Sequence, residues 1–294
     1  MRQVVAAHAK INLALYVLGK RPDGYHDIAT VLQLVSLHDT LTFDFAAPGY
    51  SFTCSEPSLA DSESNLVTRA VRALEQATGR SIAVSIHLEK AIPVGAGLGG
   101  GSSDCAATLR AFHERLGLGL STAALYRLAG GLGSDVPFFL TSGQALAEGR
   151  GERLTELAWP TNYHVCIAFP GIPVSAREGY SRARITLTNP LIDGTIRRYL
   201  TPGSFGGWVQ SCANDLELGV AACVPEVTQG VKAMRALGAI HAAMTGSGSA
   251  VFGVFERPVP ADIAERWPVA GSWRVMAARP VRISGLPVPS TGEA

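Results

Sequence analysis

Between residues 11 and 17 the side chains alternate, with Ile11, Leu13, Leu15 and Val17 on one face and Asn12, Ala14 and Tyr16 on the other. A period of two predicts a half-buried strand, and Lys10 falls on its polar face beside Asn12. The Pro-Asp-Gly of GKRPDGYH (19 to 26) then supplies a turn, and VLQLVSLHDTLTFDF resumes as a second β-rich run. From 64 to 78 the period lengthens: Leu66, Ala70, Ala73 or Leu74, and Ala77 form one helical stripe that stops at Gly79. SIAVSIHL (81 to 88) alternates again and feeds a glycine-rich stretch. After that stretch Cys105, Leu109, Phe112 and Leu116 recur every three or four residues until Gly117. The order strand, glycine loop, helix follows, with Ser102, Ser103 or Asp104 expected to cap the helix.

STAALYRLAGGL predicts another helix, and GSDVPFFLTSGQALAEGRGERLTEL a loop followed by strands. The connection at 156 to 161 precedes a fresh apolar run, YHVCIAFP, and is the expected domain boundary. Beyond it come a Pro- and Gly-rich middle, a helix near 225 to 237, and AAMTGSGSAVFGVF, a second glycine turn leading into a strand. No internal repeat is present.

Composition sharpens this picture in three respects. A chain of 294 residues, 47% hydrophobic and 17% charged, can bury two ordinary cores, which predicts two domains, 1–157 and 158–294. A formal net charge of +1 provides no electrostatic footprint for nucleic acid, so the expected partners are small molecules. Cys54, Cys105, Cys166, Cys212 and Cys223 are odd in number and never spaced C-x-x-C, which argues against a disulfide framework or zinc site and for a reducing, cytoplasmic setting. No signal-peptide pattern opens the chain, and no run approaches the roughly 20 apolar residues of a membrane span. A soluble protein is expected, either monomer or homodimer.

The chemistry concentrates in PVGAGLGGGSSDCAATL (93 to 109), which holds five glycines and two serines ahead of the helix. Glycines at this density let backbone N–H groups converge on an anion, and the helix N-terminus behind them favours negative charge. A phosphate is the natural occupant. Gly95, Gly97 and Gly100 satisfy G-x-G-x-x-G, yet 117 to 125 offers no acid for a ribose, so a dinucleotide fold is disfavoured. A Walker loop would end in Gly-Lys-Ser/Thr, which is missing here, and no H-R-D or D-F-G triplet exists to support a protein kinase. Lys10 stands out because the chain has 21 Arg and only 4 Lys, so surface charge is ordinarily carried by Arg. Asp135 is either a turn or cap aspartate or, being followed by Val-Pro-Phe-Phe, a carboxylate where apolar groups exclude water, which beside a lysine makes a general base or orienting group. Tyr25 and His26 are either a surface turn or a pair that stacks on and hydrogen-bonds a heterocycle. Tyr180 lies among arginines in SAREGYSRAR, on a solvated helix face or near phosphate. The other six histidines form no ligand spacing and read as structural.

Together AKINLALYVLGKRPDGYH, PVGAGLGGGSSDCAATL and MTGSGSAVFGVF, joined by LGSDVPFFL and ALAEGRGE, resemble the motifs of the GHMP kinase superfamily, in order from about residue 8 to 255. KRPDGYH and GRGE favour the branch acting on a cytidine-diphosphate-linked methylerythritol in non-mevalonate isoprenoid precursor synthesis, over homoserine, mevalonate or galactose kinases. Cys105 and Ser134 stand where alanine is commoner and Thr245 replaces a frequent serine; none removes a needed chemical group. The resemblance implies an α+β, two-domain fold with the active site in the interdomain cleft, and ATP with Mg²⁺ as cofactors. It implies that Pro93, Val94, Gly95, Ala96, Gly97, Leu98, Gly99, Gly100, Gly101, Ser102 and Ser103 wrap the ATP phosphates. Asp135 would take the proton from the substrate's tertiary 2-hydroxyl, and Lys10 would hold Asp135 ionised and lower the charge around the transferring group. Ser102 or Ser103 would help hold the metal or a phosphate; the metal ligands themselves stay open. Tyr25 and His26 match the family's cytidine contacts, Asn12 falls near the hydroxyl, Tyr180 is the candidate opposite stacking partner, and Gly246, Ser247 and Gly248 would approach substrate or phosphates. The competing readings are a GHMP kinase for a simpler alcohol, or a non-catalytic RNA-binding module using the arginines near 177 to 198.

Overall fold

The computed structural model describes residues 2–60, 63–183 and 205–289; the arginines between 184 and 198 lie outside the described residues. Two strands of 19 residues, β1 (Arg2–Lys20) and β2 (His26–Asp44), form the expected antiparallel hairpin around the Pro-Asp-Gly turn. β3 (Tyr50–Cys54), α1 (Leu66–Thr78), β4 (Val84–Glu89), α2 (Gly100–Leu116) and α3 (Thr122–Leu132) follow. A short helical turn, Pro137–Leu140, precedes β5 (Gln144–Gly149) and β6 (Arg153–Glu156). The first sheet runs β3-β4-β2-β5-β6, with β1 paired along β2. The chain then passes to a second, antiparallel sheet, β10-β7-β9-β8, built from β7 (His164–Phe169), β8 (His241–Met244), β9 (Val251–Phe255) and β10 (Arg274–Ala278). Around it stand α4 (Ala176–Ser181), α5 (Phe205–Gln210), α6 (Glu217–Ala221) and α7 (Glu226–Ala236).

The hairpin is long because its middle is buried on both sides. Residues 9 to 17 of β1 are all buried, so the half-buried strand read from the alternation is corrected. Register shifts near His8/Lys10, Asn12/Ala14 and Val17/Gly19 break the strict period of two. Ile11, Leu13, Ala14 and Tyr16 pack with Val165, Ile167 and Phe252 of the second sheet, while Leu15 and Val17 meet Leu216, Val220 and Met244. The buried middle of β1 is therefore the surface on which the second sheet is assembled.

α1 and α2 cover the first sheet. Asn65 caps α1 by accepting from the Val67 N–H, and Gly79 closes it in the left-handed region. The buried stripe is Val67, Ala70, Val71 and Leu74; Leu66 is only half-buried and Ala77 exposed, so the stripe is rotated by one residue from the periodic reading. Cys105, Leu109 and Phe112 of α2 enter the same core. Segment 279–289 returns after β10 to this first half: Val281 N donates to Leu34 O at 2.9 Å, Ile283 N to Ser142 O at 3.1 Å and Leu286 N to Leu140 O at 2.8 Å. That strap braces the Pro137–Leu140 turn directly beneath Asp135.

Candidate active site

The glycine loop enters from β4 over a buried ion triad that the pattern reading missed. Asp39 Oδ1 accepts the amides of Ala91 and Ile92 at 2.6 and 2.8 Å, and its other oxygen pairs with Lys90. Lys90 Nζ also donates to Asp104 Oδ2 at 2.8 Å. One ammonium thereby ties β2, the loop entry and the first turns of α2. Burial lowers the Lys90 pKa, but Asp104 and Asp39 outweigh it and the net shift is upward. Asp104 is raised from 3.8 to about 7, chiefly by burial, and its Oδ1 has no hydrogen-bond partner among the described residues. A carboxyl raised on folding binds its proton more tightly in the native state, so its contribution is complete below pH 3.8 and declines as pH rises towards about 7. The isosteric Asp104→Asn variant does not titrate. Its urea stability is therefore expected to fall less than the wild type's across that window; parallel stability curves for the two proteins would contradict this origin.

Within the loop, glycines alternate with anchors. Ala96 and Leu98 are each 1% exposed and pack into the core between the sheets, so their contribution to a ligand is confined to backbone groups. Gly97 and Gly99 hold φ of +80° and +73°. A Cβ on Gly97 would sit 2.2 Å from Thr245 O, and one on Gly99 2.7 Å from the Phe139 ring. The backbone is thus pressed against the second glycine turn, with Ala250 N donating to Ala96 O at 3.2 Å and Val174 N to Gly95 O at 3.0 Å.

The N-cap of α2 is Gly99, not Ser102, Ser103 or Asp104. The helix starts two residues before the first of these, which places all three inside it. No side chain caps it, and its first internal bond runs from Ser103 N to Gly99 O at 2.9 Å. The amides of Gly100, Gly101 and Ser102 precede that bond and have no intrahelical acceptor. They open towards a cleft of about 320 Å³ lined by Pro93 to Ser102, with Leu66, Lys90 and Val174. Ser103 is buried, at 3% exposure, whereas Ser102 lines this cleft and the adjoining one.

The adjoining cleft, about 760 Å³, brings together Lys10, Asn12, Tyr25, His26, Asp135, Tyr180, Gly246 and Ser247. Lys10 Nζ donates to Asn12 Oδ1 at 2.6 Å and lies 3.6 Å from Asp135 Oδ2. Asn12 is fixed in turn: its Nδ2 donates to Thr30 Oγ1 at 2.8 Å, and its amide to Thr245 Oγ1 at 3.0 Å. Burial lowers the pKa of Lys10, and the neighbouring Asp135 carboxylate opposes that shift without cancelling it. Asp135 itself is 43% exposed, which corrects the expectation of a water-excluded carboxylate. The apolar residues after it, Val136 to Leu140, are buried beneath, and the turn they anchor leaves the carboxylate on the cleft wall.

His26 and Tyr180 stack on each other, with centroids 5.4 Å apart and planes 20° apart, rather than standing on opposite sides of a gap. Burial and the Asp135 charge raise the Tyr180 phenol, while burial and Lys20 lower the His26 imidazole. Tyr25 is 53% exposed beneath the Arg150 guanidinium. Gly246 and Ser247 reach the cleft but Gly248 does not: a Cβ there would meet Met244 and Val220, on the turn's far side. Lys20, Arg150 and Arg177 also line the wall, the last from the arginine-rich segment around Tyr180 that was expected on a solvated helix face or near phosphate.

A glycine loop ahead of an uncapped helix, facing a lysine–aspartate pair across a cleft between two sheets, defines a small-molecule kinase of the GHMP class. The sequence model "GHMP kinases N terminal domain" matches residues 65–143, and "GHMP kinases C terminal" matches 201–270. The 4-diphosphocytidyl-2-C-methyl-D-erythritol kinase of Pelotomaculum thermopropionicum is 42% identical over 270 residues, 91% of this chain and 92% of that one. The protein of the same name from Syntrophus aciditrophicus is 39% identical over 279 residues, 94% and 99% of the two chains. A crystal structure of 4-(cytidine 5'-diphospho)-2C-methyl-D-erythritol kinase superposes with a TM-score of 0.76 at 34% identity, covering 95% of this chain and 99% of that one. Homoserine kinase from Cytophaga hutchinsonii shares the fold, with a TM-score of 0.70 at 17% identity over 96% of this chain and 95% of that one. The chain belongs to the 4-diphosphocytidyl-2-C-methyl-D-erythritol kinase family of GHMP kinases.

Proposed function

We propose that the chain transfers the γ-phosphoryl group of ATP to the 2-hydroxyl of 4-diphosphocytidyl-2-C-methyl-D-erythritol. The observation that carries this reading is the Lys10–Asp135 pair, 3.6 Å apart and adjoining the glycine loop in a cleft that also holds Tyr25 and His26. The free amides of α2 suit the phosphates of ATP, and the close packing of Gly97 on Thr245 O and of Gly99 on the Phe139 ring holds the loop that presents them. Asp135 accepts the proton of the attacking hydroxyl, Lys10 neutralises charge near it, and Asn12 holds the lysine in place. Mg²⁺, bound through substrate phosphates and one or two protein oxygens, would neutralise charge on the transferring group. Ser102, on the wall of both clefts, fits that donor set, whereas Ser103 is buried.

Residues 1–157 and 158–294 serve as the ATP-binding and C-terminal units in this reading. No helix among the described residues is long and apolar enough to cross a membrane, and the five cysteines are free; we place the protein in the cytoplasm. The chain acts as a monomer or homodimer in this reading. The test is ADP release with 4-diphosphocytidyl-2-C-methyl-D-erythritol, homoserine and mevalonate offered separately. Turnover is expected with the first alone, and turnover with only the other two would overturn the assignment.

A further inference from the structure

The Lys10 side chain is threaded between the two glycine turns: a Cβ on Gly99 would lie 3.1 Å from its Cγ, and one on Gly246 3.0 Å from its Nζ. Packing fixes the stem, and acceptors aim the ammonium. It lies 2.6 Å from Asn12 Oδ1 and 3.6 Å from Asp135 Oδ2, so the neutral carboxamide holds it more closely than the carboxylate does. That division leaves Asp135 to the attacking hydroxyl. A carboxamide has two unlike ends, an oxygen that accepts and an NH2 that only donates. With the ends exchanged, an N–H donor would face both the Lys10 ammonium and the Thr245 hydroxyl, which donates to Asn12 Oδ1 at 3.3 Å.

Thr30, on β2, decides which end faces the lysine. Its Oγ1 lies 2.7 Å from Ala14 O, a carbonyl that can only accept, so the single hydroxyl proton of Thr30 points there. What the hydroxyl presents to Asn12 is a lone pair, and only the NH2 end, at 2.8 Å, can answer it. The bond to Ala14 falls where the β1–β2 register shifts between Asn12 and Ala14, a break in the ladder that redirects side chains. Lys10, Asn12, Thr30 and Thr245 are all buried, and a donor facing a donor is costly there. We infer that Thr30 is a positioning residue for phosphoryl transfer: it fixes the sense of the Asn12 carboxamide, so that an acceptor holds Lys10 at the reacting end of the cleft. This rests on the proposed role of Lys10 and adds to it the group that sets its orientation.

The test compares Thr30→Val, which replaces the hydroxyl by a methyl of similar size, with Thr30→Ser, which keeps it, by steady-state kinetics across pH and by thermal unfolding. Thr30→Val is expected to lower kcat by about tenfold, the scale of one hydrogen bond at a charged group, with the KM for ATP near wild type. The alkaline limb of its kcat profile should move to lower pH, because an ammonium that loses an acceptor loses a contact favouring its charged form. Thr30→Ser should recover most of kcat and of the profile. In an Asn12→Ala background Thr30→Val should lower kcat no further, since no carboxamide is left to orient. Thr30→Ala carries the same comparison should the valine variant fail to fold. A melting temperature that falls while kcat and the alkaline limb stay at wild type would reduce Thr30 to a structural role, and an equal kcat loss with and without Asn12 would show that it does not act through the carboxamide; either overturns the inference. Failure of the Lys10 reading looks different, because Lys10→Met would then turn over like the wild type.

Discussion

Asp135→Asn is expected to lower kcat by about 10²- to 10⁴-fold while leaving the KM for ATP near its wild-type value. The carboxamide matches the carboxylate in shape, so the Pro137–Leu140 turn and its strap from 279–289 stay in place. Two capacities are lost. The hydroxyl no longer has a proton acceptor, and Lys10 no longer has the anion that opposes its desolvation. The second loss has its own signature. Lys10 already has a lowered pKa through burial, and without Asp135 it falls further, so the residual activity should decline at a lower alkaline pH than the wild type's. Steady-state kinetics across pH, with ATP and acceptor varied separately, read both effects. A kcat within a few-fold of wild type would reduce Asp135 to a structural role.

The lysine and aspartate were legible as chemistry, through the scarcity of lysine and the apolar run after the acid, but their meeting was legible only through the family resemblance and not through any spacing. They lie 125 positions apart in the chain, and only the docking of β1 against the loop, where Lys10 N donates to Leu98 O at 3.0 Å, brings them together. Local signals carried the elements well where one principle acted alone: Gly79 closes α1 and Gly117 ends α2, as read. They failed where tertiary contact decided. The serines of the glycine loop read as caps, yet capping by Gly99 leaves the amides of the first turn open. Asp104 read as a candidate helix cap and is instead one corner of a buried triad whose other members, Asp39 and Lys90, come from β2 and the loop entry. Arg150 was visible within GRGE, but its seat on Tyr25 depends on the β1–β2 turn and the β5–β6 hairpin approaching one another, which no spacing encodes.

The contact between the two glycine turns gives the other large effect. In Gly97→Ala the new methyl would lie 2.2 Å from Thr245 O and 2.9 Å from Gly248 N, both backbone atoms that no rotamer change can move aside. The φ of +80° adds strain of about 1–2 kcal/mol for any L side chain. Relief requires the turns to separate, and the displacement does not stay local. Thr245 Oγ1 accepts from the Asn12 amide and donates to Asn12 Oδ1 at 3.3 Å, and Asn12 in turn holds Lys10. Gly97→Ala is therefore expected to lower the melting temperature, raise the KM for ATP by tenfold or more, on the order of 1.4 kcal/mol, and lower kcat as Lys10 shifts. Gly117→Ala is the matched comparison: its φ of +52° carries similar strain, but a Cβ there meets nothing within 4 Å. It should cost about 1 kcal/mol of stability and leave the kinetics unchanged. Thermal unfolding and ATP kinetics on the pair separate strain from contact. Equal losses in the two variants would mean that the phosphate loop does not lean on the second glycine turn, and that Lys10 is held independently of it.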